Sequence, residues 1–359
     1  MNLQNPKKFK MLIDQAHESA LNVLRPISRK YDKAEHSYPK ELDMFASIID
    51  GMNDGGEGIN AGAAVGKRGS TEAGNKNGVN MSTVLGVIEM CYGDTGLLLS
   101  MPRQGLGNSA IAAVANDEQL ERFKGTWAAM AITEPGCGSD SAAIRTTATK
   151  DGDDYILNGE KIFVTSGERA DSVVVWATLD KKLGRAAIKS FVVPKGTSGM
   201  KVERLEHKLG IKASDTAVIS FIDCRVPAEN LFGHAEIDVA KGFAGVMETF
   251  DNTRPLVAAM AVGCAKASLE RIKEIFKDQL DENYAPPYLQ TSYIAAQIYR
   301  MEAEWEAARL LTMKAAWMAD NKQPNSREAS ISKAKAGRIC NEITLKCVEL
   351  AATVGYNED

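Results

Sequence analysis

Residues 131–168 read AITEPGCGSDSAAIRTTATKDGDDYILNGEKIFVTSGE. A Gly-rich turn (Gly136, Gly138) carrying Thr133, Ser139 and Asp140 opens this stretch, a run of alternating polar and apolar residues follows, and Phe163-Val164-Thr165-Ser166-Gly167 closes it. Glycine lets backbone N–H groups come close to a ligand because no Cβ stands in the way. The neighbouring Ser and Thr hydroxyls can donate or accept as a ligand requires. Taken alone, the stretch is either a ligand loop or a turn with polar decoration.

The chain has 359 residues, more than one typical core holds, and so suggests two or three packed units. Its formal charge of -4 gives no sign of a nucleic-acid or polyanion partner. The apolar runs fall far short of the roughly 20 residues a membrane span needs. The N-terminal MNLQNPKKFKMLIDQAHES has no apolar signal-peptide core. Six cysteines (Cys91, Cys137, Cys224, Cys264, Cys340, Cys347) are scattered without Cys-x-x-Cys or Cys/His spacing, so no metal is assigned and lone thiols in a reducing compartment are expected. The chain reads as soluble and cytoplasmic.

Apolar residues at helical spacing (Phe9, Leu12, Ile13, Ala16, Ala20, Leu21, Val23) predict a helix over 7–32, which Pro26 kinks or splits. Another short helix is expected over 40–50. Residues 51–78 are dense in Gly, Asn and small side chains with little to bury; a plain surface insertion is favoured over a functional lid. Helical character resumes with MSTVLGVIEMCYGDTGLLLSM. From Trp127 to about Gly233 short β-rich runs (ILNGEKIFV, DSVVVWATL, IKSFVVP, AVISFIDCRVP) alternate with turn signals, as in an antiparallel sandwich or barrel. Helices follow over about 241–280, 288–321 and 326–354, with Ala- and Met-rich apolar faces suited to close packing. The expected fold is α+β and multidomain: an N-terminal α-helical domain (1–126), a middle antiparallel β-domain (127–235) and a C-terminal helical bundle (236–359).

This order and its particular words resemble the acyl-CoA dehydrogenase flavoprotein family, closest in pattern to its medium- and short-chain members. The words are MCYGDTG (90–96), AITEPGCGSD (131–140), FVTSG (163–167), SFVVPKGTSGM (190–200), KLGIKASDTAVISFIDCRVPAENLFG (208–233) and FDNTRPLVAAMAVG (250–263). The resemblance implies a C-terminal four-helix bundle, usually a tetramer, and FAD lying between the middle and C-terminal domains. It implies α,β-dehydrogenation of an acyl-CoA thioester in fatty-acid β-oxidation. A carboxylate would remove the α-proton while the β-hydrogen leaves as hydride to flavin N5, and an electron-transfer flavoprotein would be the acceptor. The protein then has to orient the flavin, polarise the thioester carbonyl and hold a base in a dry cleft.

Carried over residue by residue, the resemblance places Met130, Ile132, Thr133, Gly138 and Ser139 along the flavin. Phe163, Val164 and Thr165 would cover its other side, Phe163 standing where the family often has Trp. Ser139, Asp251, Asn252, Thr253 and Arg254 fall on the stretches that meet the acyl-CoA, Arg254 being the natural phosphate partner. Ser139 could equally cap a turn, and Arg254 could pair with a carboxylate. No catalytic base is assigned. The family's usual Tyr-Glu-Gly word lies beyond Asp359, where the given sequence stops, and the alternative position is Thr253; Glu248 is the nearest carboxylate on that segment. Words by which the family binds a neighbour's FAD are altered to DQLDENYAPPYLQ (278–290) and Glu349-Leu350-Ala351-Ala352-Thr353. Three readings remain open: a homotetrameric enzyme whose base lies outside the given residues, one chain of a heterotetramer with a related chain acting on bulky thioesters, and a subunit without turnover.

Overall fold

The computed structural model of the chain describes residues 4–53, 76–103, 106–237, 244–280 and 291–357. Most of the Gly-rich stretch, residues 54–75, and residues 281–290 of the altered word therefore lie outside the described residues. The chain divides into two compact units, one from Met1–Pro26, Ala73–Thr95 and Arg254–Asp359, the other from Ile27–Glu72 and Gly96–Thr253.

The first unit opens with α1 (Lys10–Ser19), which runs through a π-helical turn at Ala20–Leu24 into α2 (Arg25–Lys33), a helix that belongs to the second unit from Ile27 on. Pro26 has no N–H for the preceding turn and its ring would meet a carbonyl there. The wider π turn takes up that mismatch, so the helix continues instead of breaking. Helix α4 (Val79–Gly93) buries Met81, Val84, Leu85, Val87, Ile88, Met90 and Cys91, and so is apolar on nearly every side, as an interior helix must be. The first turn of α4 needs acceptors, and the Asp320 carboxylate takes the N–H groups of Gly78, Asn80 and Met81 at 2.6, 2.9 and 3.1 Å. Glu89, buried on α4, is met by Lys266 Nζ (2.6 Å) and His17 Nδ1 (2.9 Å).

The long helices α8 (Ala244–Ile275, in the first unit from Arg254 on), α9 (Tyr293–Asp320) and α10 (Ser326–Gly355) lie close to the expected segments. Ala265, Leu269, Ile272, Ile298, Met301, Ile339, Ile343 and Cys347 form the core among them. The end of α10 holds Ala352 at φ 48, ψ −122, a backbone conformation at home only for glycine. Such strain costs about 1–3 kcal/mol. Ala352→Gly is accordingly expected to stabilise the chain by about 1 kcal/mol, read as a higher urea midpoint with an unchanged slope. A lowered midpoint would contradict it.

The second unit contains α3 (Glu41–Asn53), α5 (Thr95–Leu99, which starts at the division), α6 (Leu106–Val114), α7 (Asp117–Arg122) and a seven-stranded sheet. Its strands are β1 (Ala128–Ala131), β2 (Thr147–Asp151), β3 (Asp154–Thr165), β4 (Ser172–Thr178), β5 (Ile188–Pro194), β6 (Met200–Leu205) and β7 (Thr216–Pro227), in the order β1-β4-β2-β3-β7-β6, with β5 also on β4. The hairpins are antiparallel as expected. The exception is β1, which pairs parallel with β4, Met130 opposite Val174; Thr147 of β2 also meets Thr178 of β4 in parallel. A parallel pair needs a crossover connection, and residues 132–171 supply it, so the Gly-rich loop and the β2–β3 hairpin are the crossover itself. Strand β4 is buried along its whole length. Val173, Val175 and Ala177 belong to one core, Val174 and Trp176 to another, hence its unbroken apolar run. All six cysteines are free thiols, and no described helix is long and apolar enough to cross a membrane.

Candidate cofactor and substrate site

The loop that leaves β1 is held by an ion pair placed inside the protein. Lys161 on β3 has no solvent exposure and Glu134 has 6%. Lys161 Nζ donates to Glu134 Oε1 at 2.8 Å and to the Ile132 carbonyl at 3.1 Å. Glu134 also accepts from Arg145 N (2.6 Å), Thr146 N (2.9 Å) and Thr146 Oγ1 (2.6 Å). Between the two anchors, Ile162 N donates to the Thr133 carbonyl at 2.9 Å. Three consecutive residues, Ile132, Thr133 and Glu134, are thus bonded to Lys161 and Ile162 of β3. Burial alone would push the Glu134 carboxyl up, but the Lys161 charge and the donors around it outweigh that and hold it below its ordinary value. Burial pushes Lys161 down, and the Glu134 charge opposes this. A buried charge survives only when paired and hydrogen-bonded, and this pair is both.

The turn beyond Glu134 is closed by Glu134 N to Cys137 O (3.0 Å) and Cys137 N to Glu134 O (3.1 Å). Gly136, Gly138 and Ser139 are exposed, and Thr133 is half-buried. A Cβ added at Gly136 or Gly138 would meet no atom of the described residues within 4 Å, and neither glycine has a positive φ. Internal packing therefore does not call for glycine at these positions. Bare backbone facing open space suits a bound group that approaches closely, and in this respect the residues fit FAD.

Phe163 gives a second point of fit. Between the pairs Lys161↔Ile219 and Val164↔Ala217, strand β3 advances one residue more than β7, a bulge. Bulges re-aim side chains beside functional sites. Here Phe163 has φ 56 and is 61% exposed on otherwise well-paired backbone. A bulky residue with positive φ is a true outlier, and such strain collects at ligand clamps.

The other expected contacts divide by burial. Val164, at 1% exposure, goes into the sheet core, so only its backbone is left for a ligand. Ile132 is likewise buried, Met130 packs against the same core, and Thr165 is half-buried. Asp251, Asn252, Thr253 and Arg254 lie on α8. Thr253 is buried with Oγ1 at 3.5 Å from the Phe250 carbonyl, while Asp251 and Arg254 are half-buried and engaged within the chain. The side chains of Asn252 and Glu248 lie outside the described residues. Lys161 and Glu134 were missed by sequence reasoning, yet a signal existed. Tyr155, Leu157, Gly159 and Lys161 follow at the two-residue period of one strand face, and a lysine on an apolar register requires a buried carboxylate.

The order of helices and β-strands is that of the acyl-CoA dehydrogenase fold, as the solved structures similar to this chain show. The acyl-CoA dehydrogenase middle-domain model matches residues 129–224 and the C-terminal-domain model residues 240–359. The short-chain-specific acyl-CoA dehydrogenase of Clostridium acetobutylicum is 30% identical, the match covering 100% of this chain and 91% of that protein. The solved butyryl-CoA dehydrogenase of Megasphaera elsdenii superposes with a TM-score of 0.85 at 30% identity, covering 100% of this chain and 91% of that one. A subunit of the caffeyl-CoA reductase–Etf complex of Acetobacterium woodii is 34% identical over 79% of this chain and 75% of its own length. The chain belongs to the acyl-CoA dehydrogenase family.

Proposed function

We propose that the protein is an FAD-dependent acyl-CoA dehydrogenase subunit acting on short acyl-CoA thioesters. The observation that carries this is the loop 132–139, whose first three residues are bonded to β3 and whose glycines present bare backbone, together with the exposed Phe163 on the same strand. FAD, when bound, supplies the two-electron acceptor that takes the β-hydrogen as hydride. The chain's own residues do the rest. Thr133 and Ser139 offer hydroxyls to the cofactor edge and the thioester, Gly138 admits the ligand to the backbone, and Phe163 covers the ring system. Arg254, permanently charged, meets a phosphate of the CoA. No described carboxylate is assigned as the α-proton base.

The relatives named for an Etf complex and a butyryl-CoA substrate support an electron-transfer flavoprotein as acceptor and a short acyl group. Free thiols suit the cytoplasm. A tetramer is the assembly we favour. Ala352 supports a second reading, a heterotetramer with a related chain: alanine stands strained in a glycine conformation, in the word by which the family serves a neighbour's FAD.

Phe163→Ala tests the site. The ring is exposed, so stability should change by less than about 0.5 kcal/mol, while FAD binding weakens roughly three- to tenfold through the lost aromatic contact. Equal FAD affinity in both proteins, measured by quenching of flavin fluorescence, would refute the placement.

A further inference from the structure

Two of the chain's four histidines, His36 and His207, stand together with Glu35 on the second unit, although 171 residues separate the two rings in sequence. One donor atom from each of the three side chains lies within 4.8 Å of the others. Glu35 Oε2 is 2.8 Å from His207 Nδ1, and Glu35 Oε1 accepts the Lys208 N–H at 2.9 Å, so the carboxylate is fixed in place. The two imidazole rings sit 5.1 Å apart, tilted by 57°. His36 is the unexplained member. Both its ring nitrogens are buried and neither has a hydrogen-bond partner among the described residues. Its backbone is also held at φ 68. An imidazole deprived of water and of partners is costly, and a non-glycine residue in the left-handed region adds to the cost.

We propose that Glu35, His36 and His207 form a divalent transition-metal site of the zinc type. Two imidazoles and one carboxylate are the donor set zinc takes, with nitrogen and oxygen about 2.0–2.2 Å from the ion and a further position open to water. Ligands on one tetrahedral ion stand roughly 3.3 Å apart at such bond lengths. The 2.8 Å contact between Glu35 and His207 need only widen slightly, and His36 move inward, for the ion to replace the shared proton. Magnesium and calcium, which prefer oxygen ligands, fit this set poorly. The cations nearby are already engaged. Arg169 donates to the Ser37 carbonyl at 2.9 Å and pairs with Asp215 at 3.4 Å, and Lys208 Nζ donates to the Ser214 carbonyl and to Thr216 Oγ1. A bound ion would clamp the turn after α2 to the segment after β6, and it would do so whether or not a cofactor is present.

The test is calorimetric titration of the chelator-treated full-length protein with zinc, with the thermal midpoint measured in parallel. A single saturable site per chain that raises the midpoint is expected. His36→Gln and His207→Gln should each weaken binding by at least roughly tenfold, the loss that even an outer-shell partner brings, and should shrink the thermal shift accordingly. The His207 side chain is 83% exposed, so that variant should fold like the wild type. His234→Gln, at an exposed histidine elsewhere, should bind as the wild type does. Three results would each overturn the proposal: no uptake of zinc by the wild type, unchanged binding in both His36→Gln and His207→Gln, or binding that disappears only in Cys264→Ser or Cys340→Ser.

Discussion

Lys161→Met is expected to destabilise the second unit by about 3–5 kcal/mol and to abolish FAD retention, because it leaves the Glu134 carboxylate buried without its counter-charge. The reason lies in the bookkeeping of a buried pair: removing one partner exposes the full desolvation cost of the other, whereas removing both need not. The double variant Glu134→Leu/Lys161→Met should therefore recover part of the stability. It should not recover all of it, since Arg145 N, Thr146 N and Thr146 Oγ1 then lose their acceptor. If the pair also positions the loop, flavin binding will stay weak in the double variant even where stability returns. Urea denaturation reads the first effect and flavin fluorescence the second; a double variant less stable than Lys161→Met would contradict this picture. Acid should act like the mutation. The folded carboxyl of Glu134 lies below its ordinary value of 4.5, so its contribution is fully present above that value and is lost as pH falls below it through the folded value. Flavin release on acidification is expected in that window and is the readout.

Gly263→Ala is expected to cost about 2–3 kcal/mol, although alanine normally improves a helix by about 1 kcal/mol over glycine. A Cβ on Gly263 of α8 would run into the Ile88 carbonyl oxygen of α4 and come within 2.9 Å of Cys91 Cβ. The obstacle is backbone, which cannot rotate aside, so the two helices would have to part. Gly337 on α10 provides the contrast, since a Cβ there meets nothing within 4 Å among the described residues. Gly337→Ala should stabilise where Gly263→Ala destabilises. Chemical denaturation of both variants decides the matter: shifts of the same sign would show that propensity and not packing governs these positions.

Local physics made much of this molecule legible in its sequence. The three long C-terminal helices followed from spacing, and the strands from alternation between turn signals such as Asp151-Gly152-Asp153, where Gly152 has φ 62. Other features depended on partners far away in the chain. The parallel pairing of Ala128 with Ser172 spans the whole crossover, and no short-range pattern specifies it. The π turn before Pro26 is a compromise between a proline and a helix held by its surroundings, so the sequence showed the conflict but not its resolution. At the site, the glycines and hydroxyls were visible as a motif, whereas the pair that holds them joins residues 134 and 161 through the core. Phe163 was legible as an aromatic, but its exposure comes from a bulge fixed by register with β7. The base was not legible, because no spacing or motif marks one carboxylate above the others for that role.

The most direct measurement is anaerobic titration of the FAD-reconstituted protein with acyl-CoA thioesters of increasing bulk, butyryl-CoA first, following the visible flavin absorbance. The expected result is stoichiometric FAD retention by the wild type and bleaching that is strongest with the short thioester, with both lost in Lys161→Met. Bleaching only after a related chain is added would favour the heterotetramer. A protein that retains no flavin, alone or with such a chain, would contradict the assignment of residues 132–165 as a flavin site.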